Sequence, residues 1–218
     1  MVSFDDNEED WNEFALYIGM ASWEHDVYFF KNNKVIAFQQ INNKYGVEIN
    51  HYKDQEGKTV IYYLENFASG TGIWQYNYFF YRYNESKLEP ILNVLQNSNM
   101  NEFSHKILWF ETTVEATNPL ILKFVYSVDI HDVKGNKTSL IADSSTVVYK
   151  WNSEKQKLIG AFPSNFNEDK VLAFGLMNSD AFLIRIFKDQ IQKLLEKDES
   201  SKDAVFYYLN VIKNQEKN

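Results

Sequence analysis

The chain has 218 residues, no cysteine and a formal net charge of -8 at pH 7. Without cysteine, the protein can form neither disulfides nor cysteine-zinc sites, and thiol catalysis is excluded. The negative charge repels phosphate backbones and anionic lipid surfaces, which argues against nucleic acid and membranes as partners. The same charge suits a soluble protein, or one whose partner is basic.

The sequence also bears on where the protein is found in the cell. No stretch approaches the ~18 consecutive apolar residues of a membrane helix, so membrane insertion is not expected. Residues 1–6 lack the basic and apolar regions of a signal peptide. We therefore expect a cytoplasmic protein if the sequence is full-length, and a periplasmic or secreted one if a signal peptide has been removed.

The first half of the chain predicts a short helix followed by antiparallel strands. Within residues 10–22, four apolar residues follow the i, i+3, i+4, i+7 spacing of an amphipathic helix. A hairpin over residues 27–38 is predicted next, turning at Asn32-Asn33. Pro90 suits the first turn of a second short helix, and the polar residues 97–101 form a break. Three further strands are predicted at residues 47–52, 60–65 and 73–83.

The second half predicts more strands and then two helices. Strands are expected at residues 107–115, 120–130, 138–142, 146–151 and 157–162. Asn118-Pro119 marks a turn, residues 181–196 show helical periodicity, and Ser201 or Asp203 would cap a last helix. The predicted class is α+β, mostly antiparallel β-sheet, with a short N-terminal helix and a C-terminal helix pair. We expect a single domain, or two subdomains that meet near residues 97–105.

A short phrase occurs twice and predicts duplicated hairpins. Residues 81–88, Tyr-Arg-Tyr-Asn-Glu-Ser-Lys-Leu, return in similar form at residues 149–158. Each copy follows a glycine-containing turn, at residues 54–59 and 132–138, and a looser third copy covers residues 28–35. Each phrase has the pattern strand, polar turn, strand. The repetition indicates a β-meander built partly by duplication of a hairpin unit.

Part of this pattern resembles a known kind of repeat. The glycine-rich turn Gly70-Thr71-Gly72 leads into an aromatic strand that ends in Tyr81-Arg82-Tyr83 and is followed by Lys87-Leu88. In this order of features the chain resembles uncharacterised bacterial envelope proteins that carry FG-GAP-like β-meander units, over residues 53–92 and 131–162. The resemblance implies a bacterial protein with a meander of aromatic strands.

The resemblance does not extend to calcium. The calcium-binding turn of true FG-GAP units needs several Asp or Asn at alternating positions, and residues 54–57 and 132–135 supply too few. The four histidines show no zinc-type spacing. The sequence therefore predicts neither a metal nor a cofactor.

The candidate binding surface is the aromatic strand over residues 73–83 together with the loop before it. Side chains alternate along a strand, so Trp74, Tyr76 and Tyr78 share one face, whereas Tyr81 and Tyr83 share the other. An open aromatic row stacks on sugars or anchors a protein partner, although a strand covered on both faces is the alternative. The predicted binding residues are Gly70, Thr71, Gly72, Trp74, Tyr76, Tyr78, Tyr81 and Tyr83.

No catalytic motif emerges from the sequence. The loop at residues 69–72 is glycine-rich but precedes a strand, whereas phosphate loops lead into a helix N-terminus. Asp129 and His131 share a strand face beside a glycine turn, which a solvated strand end explains. Glu65 and Glu111 are the other acids of interest, because carboxylates are rare in apolar strands. No catalytic residue is predicted, and an enzyme is less favoured than a binding protein.

The function that the sequence favours is non-catalytic recognition. The absence of catalytic motifs, the acidic charge and the aromatic strand together predict a small inhibitor or immunity-type binding module. Its partner would be a protein, and the negative charge favours a basic one. One alternative is an envelope protein that binds or processes a glycan through the same aromatic row, and a third possibility is a structural component of a larger assembly.

Overall fold

The structure is a computed structural model that describes residues 13–19, 23–70, 73–84, 87–102, 106–131, 137–164, 167 and 184–215. The strands are β1 (Glu13–Gly19), β2 (Glu24–Lys31), β3 (Lys34–Asn42), β4 (Asn50–Lys53), β5 (Thr59–Gly70), β6 (Ile73–Asn84), β7 (Lys87–Glu102), β8 (Lys106–Thr117), β9 (Leu120–His131), β10 (Lys137–Asn152) and β11 (Lys157–Ala161). The helices are α1 (Lys188–Lys197) and α2 (Glu199–Gln215). The predicted α+β class, with mostly antiparallel sheet and a C-terminal helix pair, is confirmed.

The strands form two antiparallel sheets. β1, β2 and β3 form a three-stranded sheet in that order, and β4 to β11 form an eight-stranded meander in which each strand pairs with its sequence neighbours. The antiparallel pairing of β2 with β3 confirms the predicted hairpin. Its turn residues Asn32 and Asn33 have φ angles of 49° and 58°. Two successive left-handed residues are typical of a type I′ turn, whose twist matches that of the flanking strands.

The large sheet curls around the main core. The Arg82 guanidinium on β6 lies 4.1 Å from the centroid of the Trp151 ring on β10, although three strands separate β6 from β10 in the sheet. The enclosed core includes fully buried Phe80, Phe110 and Phe124, which belong to a single apolar cluster. The helix pair and Phe187, the residue before α1, cover this core with five buried side chains, Phe187, Ile191, Val205, Tyr208 and Ile212.

A second, smaller core lies on the other side of β5 and β6. There Ile61 and Tyr63 of β5 pack with Val27, Phe29 and Ile41 of the three-stranded sheet. Strands β5 and β6 are therefore shared walls, with one face toward each core. This arrangement decides which of the predicted binding residues remain accessible.

The N-terminal helix predicted over residues 10–22 is wrong for the part that the structure describes. Residues Glu13–Gly19 form strand β1, which pairs with β2 from Glu13 opposite Lys31 to Gly19 opposite His25. The Phe14 and Phe30 rings stack with their centroids 4.7 Å apart. The apolar spacing of this segment fits a helix, but its aromatic and β-branched residues also favour a strand. Cross-strand pairing with β2 therefore determines the conformation.

The helix predicted at Pro90 and the break predicted at residues 97–101 are also wrong, because β7 runs from Lys87 to Glu102. Pro90 pairs with Tyr81 beside a register shift at which Ile91 is the extra residue. Proline is tolerated at such a bulge because it lacks the N–H that a regular ladder uses. The predicted subdomain boundary near residues 97–105 therefore falls partly on a paired strand, and residues 103–105 lie outside the described ranges.

Two smaller predictions need correction. The strands predicted at residues 138–142 and 146–151 are a single strand, β10, with a register shift between Ser139 and Ile141. The cap of the last helix is Asp198, whose Oδ1 accepts a hydrogen bond from the Ser201 N–H at 2.7 Å. That bond, with a second one from the Ser201 hydroxyl, lowers the pKa of Asp198.

Both copies of the repeated phrase lie on hairpins, β6–β7 and β10–β11. Asn84 pairs with Lys87 and Asn152 pairs with Lys157, so each asparagine is the last paired residue before its turn. The packing of the two copies differs, however. Tyr81 contacts the smaller core, whereas its counterpart Tyr149 is buried in the main core. Duplication of the hairpin unit therefore stays a prediction, and residues 132–136, which include the second glycine turn, lie outside the described ranges.

Candidate functional site

Strand β6 is covered on both faces from Tyr78 to Tyr83. Tyr78 packs against the main core beside Phe80, while Tyr81 and Tyr83 pack against the smaller core. The structure thus separates these predicted binding residues into an inner set, Tyr78, and an outer set, Tyr81 and Tyr83, and neither of these sets forms an open aromatic row. This is the arrangement that the sequence left as the alternative.

The outer set joins the two sheets. The Tyr63 hydroxyl donates to the Tyr81 hydroxyl at 3.1 Å, and Tyr81 in turn donates to Oε1 of Gln39 on β3 at 3.3 Å. The Tyr63 and Tyr81 rings stack with centroids 5.6 Å apart, and the Lys31 ammonium lies 5.1 Å from the centroid of the Tyr83 ring. Burial raises the pKa of both Tyr63 and Tyr81. Their contacts hold the three-stranded sheet against the large one.

Trp74 and Tyr76 lie at the far end of β6 and are half-buried. The Trp74 indole N–H donates to the Asn97 side-chain oxygen on β7. Gly70 ends β5 opposite Ile73, whereas Thr71 and Gly72 lie outside the residues that the structure describes. The predicted glycine loop is therefore located only by its first residue.

A polar pocket of about 460 Å³ opens next to Tyr78, and we call it the tyrosine pocket. It forms between the segment that joins β3 to β4 and the side chains of Tyr17, Leu64 and Tyr78. Ligand pockets of this size commonly hold small molecules or inserted side chains. Its lining residues are Tyr17, Asn43, Tyr45, Gly46, Val47, Glu48, Asn50, Leu64 and Tyr78.

Buried Asn43 fixes the segment that forms the pocket. Its backbone N–H donates to the Trp23 carbonyl at 2.8 Å and its Nδ2 donates to the Leu64 carbonyl at 3.2 Å. Its Oδ1 accepts from the Tyr45 N–H at 3.0 Å. Gly46 follows at φ 90°, a conformation that other residues rarely adopt. The turn therefore presents Tyr45 from a tethered backbone.

A hydrogen-bonded chain orients Tyr17 at the pocket. His25, only 5% exposed, places Nε2 at 2.6 Å from the Asn43 carbonyl oxygen and Nδ1 at 2.6 Å from the Tyr17 hydroxyl. A carbonyl only accepts, so Nε2 carries a proton and, in the neutral ring, Nδ1 accepts the Tyr17 proton. The Tyr17 oxygen can then accept a hydrogen bond from a ligand.

The charged side chain among the residues that line the pocket is a carboxylate, that of Glu48. Burial raises the pKa of Tyr78, and the nearby Tyr62 hydroxyl and Glu48 carboxylate raise it further. Glu48 has the same effect on Tyr62, again after burial. A carboxylate near tyrosine rings favours a cationic or hydrogen-bond-donating guest.

Tyr45 shows that a ring at this site accepts a cation. Its side chain is 77% exposed, and the Lys44 ammonium lies 5.9 Å from the ring centroid. The same ammonium is 5.6 Å from the centroid of the Trp23 ring. Lys44 also brings a positive charge near the pocket mouth, which partly offsets Glu48.

Sequence reasoning missed most of this pocket. Of its lining residues, the sequence predicts only Tyr78 as a binding residue, and it predicts a helix at Tyr17. The signal that was present is the turn-type run Asn42-Asn43-Lys44-Tyr45-Gly46, which places a tyrosine on a loop between strands. Residues from four separate segments meet at the pocket, so local patterns alone do not reveal it.

The other acids and histidines form no reactive cluster in the described part of the chain. Glu65 accepts hydrogen bonds from the backbone N–H and the Nδ2 of Asn42, each at 3.3 Å, and therefore joins the two sheets. The side chains of Asp129 and His131 lie outside the described residues. Among the residues that are described, no three His, Asp or Glu side chains are placed to hold a metal ion.

Helices that could cross a membrane are likewise not found within the described ranges. Comparison of the chain with models of protein families, with curated proteins and with solved structures gives no significant match in any of the three. The proposal of function therefore depends on the site itself.

Proposed function

We propose that the protein is a non-catalytic recognition module of the inhibitor or immunity type, and that the tyrosine pocket receives a basic side chain of a protein partner. The observation that carries the proposal is the convergence of three tyrosines with the Glu48 carboxylate around one pocket of about 460 Å³. Tyrosine faces attract cations, and a carboxylate pairs with a lysine or arginine.

The net charge supports the same kind of partner. A chain with a net charge of -8 attracts a basic protein over long range and speeds its association. The contact of Lys44 with Tyr45 is an example within the chain of the interaction that a partner's lysine would make. Such a partner would exploit the tethered turn without requiring rearrangement of its backbone.

Predicted binding residues extend the proposed contact beyond the pocket. Burial and then the neighbouring Tyr45 raise the pKa of Tyr76, so Tyr76 lies near the pocket rim. Trp74 is two residues further along β6, toward the Gly70–Gly72 loop. In this proposal Tyr45, Tyr76 and Tyr78 form the contact centre, and Tyr81 and Tyr83 support β6 from behind.

A glycan is the second candidate ligand. Tyrosine rings stack on sugars, and the side-chain amides of Asn43 and Asn50 at the pocket are of the type that hydrogen-bonds sugar hydroxyls. Exposed Tyr45 offers such a ring face. This function would fit the resemblance to envelope proteins.

The two candidates can be separated by titration of the full chain with defined probes. The probes are a lysine-rich peptide, an acidic peptide of equal length and a panel of neutral oligosaccharides, with binding followed by calorimetry and by NMR of the tyrosine rings. We expect the basic peptide to bind, with weakening at high salt. Selective binding of an oligosaccharide would favour the glycan function, and binding of the acidic peptide would contradict both.

Variants locate the contact. Tyr45→Ala should weaken binding of the basic peptide by about 2 kcal/mol or more, as truncation of an interface anchor does. Glu48→Gln should reduce the salt dependence as well as the affinity. Matched controls are Phe206→Ala, an exposed aromatic on α2, and Glu196→Gln, an exposed acid on α1. Equal losses in variants and controls would show nonspecific charge attraction instead of a site.

A further inference from the structure

A second cavity, of about 350 Å³, opens between β7 and β11, one strand away from the tyrosine pocket, since Tyr78 of that pocket pairs with Val94 of this cavity. We call it the apolar cleft. Its two walls are short consecutive runs of the two strands, and Tyr149 and Phe162 complete it. Its lining residues are Leu92, Asn93, Val94, Tyr149, Lys155, Lys157, Leu158, Ile159, Gly160 and Phe162.

The cleft exists because two strands have unpaired edges there. Among the described residues β7 pairs with β8 from Asn97 to Glu102, and its residues 87–95 pair with β6 and with no other described strand. In the described part of the chain β11 pairs only with β10. The curl of the sheet brings these two edges to either side of the cleft. Direct pairing between them does not close it.

The interior of the cleft is apolar and reaches the main core. Val94, Tyr149 and Leu158 are buried members of that core, and Leu92 and Phe162 pack against it. Ile159 adds an apolar side chain that is partly exposed. Predominantly apolar lining with a few polar groups at the mouth is the usual composition of a small-molecule site.

Positive charge is concentrated at the mouth of the cleft. Lys155 and Lys157 both line it and are exposed on the β10–β11 turn and the start of β11. Among the described residues no carboxylate is paired with either ammonium. The charged residues that line the cleft are thus both positive, whereas the whole chain has a net charge of -8. A pair of ammonium groups beside an apolar cavity matches a ligand with one anionic head and one apolar tail.

We propose that the apolar cleft binds a single-chain carboxylate amphiphile, with its acyl chain between β7 and β11 and its carboxylate at Lys155 and Lys157. This is a second site, separate from the tyrosine pocket, and it does not depend on the function proposed there. The lysines supply the preference for an anionic head, and Leu92, Val94 and Phe162 supply the preference for a long tail.

The proposal predicts how the binding affinity depends on the length of the acyl chain of the ligand. Burial of each methylene strengthens binding by roughly fourfold, until the chain fills the cleft. Octanoate, decanoate and dodecanoate, each titrated below the concentration at which it forms micelles, should bind with increasing affinity. Dodecyltrimethylammonium has the same tail and the opposite charge, and should bind at least tenfold more weakly than dodecanoate.

Three variants of the full chain test the site by calorimetry. Lys155→Gln combined with Lys157→Gln should weaken dodecanoate binding by tenfold or more and leave dodecanol binding unchanged. Lys123→Gln, at an exposed position on β9, is the matched control and should bind dodecanoate as the unmodified chain does. Leu92→Trp should fill the cleft and abolish binding of both ligands.

A melting curve of each variant checks that it folds, and Leu92→Phe replaces Leu92→Trp if the larger side chain prevents folding. Four results would overturn the proposal, and the first three concern dodecanoate and its tail. These three are no dodecanoate binding at millimolar concentration, equal affinity for the three chain lengths, and binding that persists in a folded variant with a filled cleft. Equal binding of the cationic amphiphile would also overturn it, since the lysines would then have no role.

Discussion

Arg82 and Trp151 bring the two copies of the repeated phrase into contact across the interior of the curled sheet. Arg82 is the middle residue of Tyr81-Arg82-Tyr83, and Trp151 ends the corresponding Tyr149-Lys150-Trp151. The guanidinium carbon lies 4.1 Å from the centroid of the indole ring. The first copy of the phrase thus supplies the cation of a cation–π contact, and the second copy supplies the aromatic ring.

The ion pairs of Arg82 predict a large loss of stability when the guanidinium is removed. Arg82 Nε lies 3.3 Å from Oδ2 of buried Asp54, and Nη2 lies 2.6 Å from Oε2 of Glu56. Arg82→Met should lower the free energy of unfolding by about 3–5 kcal/mol, because the Asp54 carboxylate would stay buried without its partner. Urea unfolding gives this value directly.

The double variant Arg82→Met with Asp54→Asn separates this cause from lost packing. It should regain part of the loss, because the uncompensated charge is gone. Lys123→Met at an exposed position should change the stability by no more than about 0.5 kcal/mol. No recovery in the double variant would show that the ion pair is unimportant.

Buried tyrosines predict a cooperative alkaline transition. Burial raises the pKa of Tyr52, Tyr63 and Tyr78 in the folded protein. Their neutral forms therefore stabilise the fold below the pKa of a free tyrosine, about 10, and this stabilisation is lost as the pH rises above it. Part of the tyrosinate absorbance should develop only together with loss of the circular dichroism of the sheet. Complete ionisation near pH 10 in protein that remains folded would contradict the burial.

Glu65 predicts a pH dependence opposite to that of a typical ion-paired acid. Burial raises its pKa above 4.5, although the Asn42 hydrogen bonds lower it somewhat. The folded protein therefore holds this proton more tightly than the unfolded chain, and the contribution of Glu65 to stability falls as pH rises through its raised pKa.

The test compares unfolding free energies of the unmodified chain and Glu65→Gln from about pH 4 to pH 7. The unmodified chain should lose stability relative to the variant as the pH increases, because the substituted glutamine side chain keeps an acceptor for Asn42 and carries no charge. Glu111→Gln serves as the control on β8. A constant difference between chain and variant over this range would contradict the proposed role of burial.

The helix pair predicts a contrast between two phenylalanines. Phe187 is buried against the main core, with its ring centroid 5.6 Å from that of Tyr126 on β9. Phe187→Ala should cost about 3–5 kcal/mol, as removal of a buried ring does. Phe206→Ala, whose ring is 48% exposed on α2, should cost much less. Chemical denaturation of the two variants measures the difference, and equal costs would show that the helices do not cover the core as described.

Local chemistry was enough to predict the hairpins. Asn32-Asn33 and Asn118-Pro119 carry turn preferences of their own, so their strands were placed correctly. β1 was missed because its apolar spacing also fits a helix, and only pairing with β2 decides between the two. Pro90 was misassigned because its tolerance depends on a bulge in the register with β6. Local residue propensities thus predict the wrong element where pairing with a neighbouring strand determines the conformation.

The candidate site was less predictable than the fold for a related reason. The sequence indicated that β6 is aromatic on both faces but not what lies against each face. The three-stranded sheet covers Tyr81 and Tyr83, and only Tyr78 reaches the tyrosine pocket. Asn43, Tyr45 and Glu48 carry no motif and become a site only through long-range packing.

The tyrosine pocket draws its walls from both sheets. Tyr17 belongs to β1 of the three-stranded sheet, whereas Leu64 and Tyr78 belong to β5 and β6 of the large one. The cavity is complete only while the two sheets are docked through Tyr81–Gln39 and Glu65–Asn42. By mass action, any occupant that touches both walls favours the docked state over one in which the smaller sheet is released. Amide hydrogens of β1–β3 should then exchange more slowly with solvent when the pocket is occupied, so ligand binding and sheet docking are thermodynamically linked.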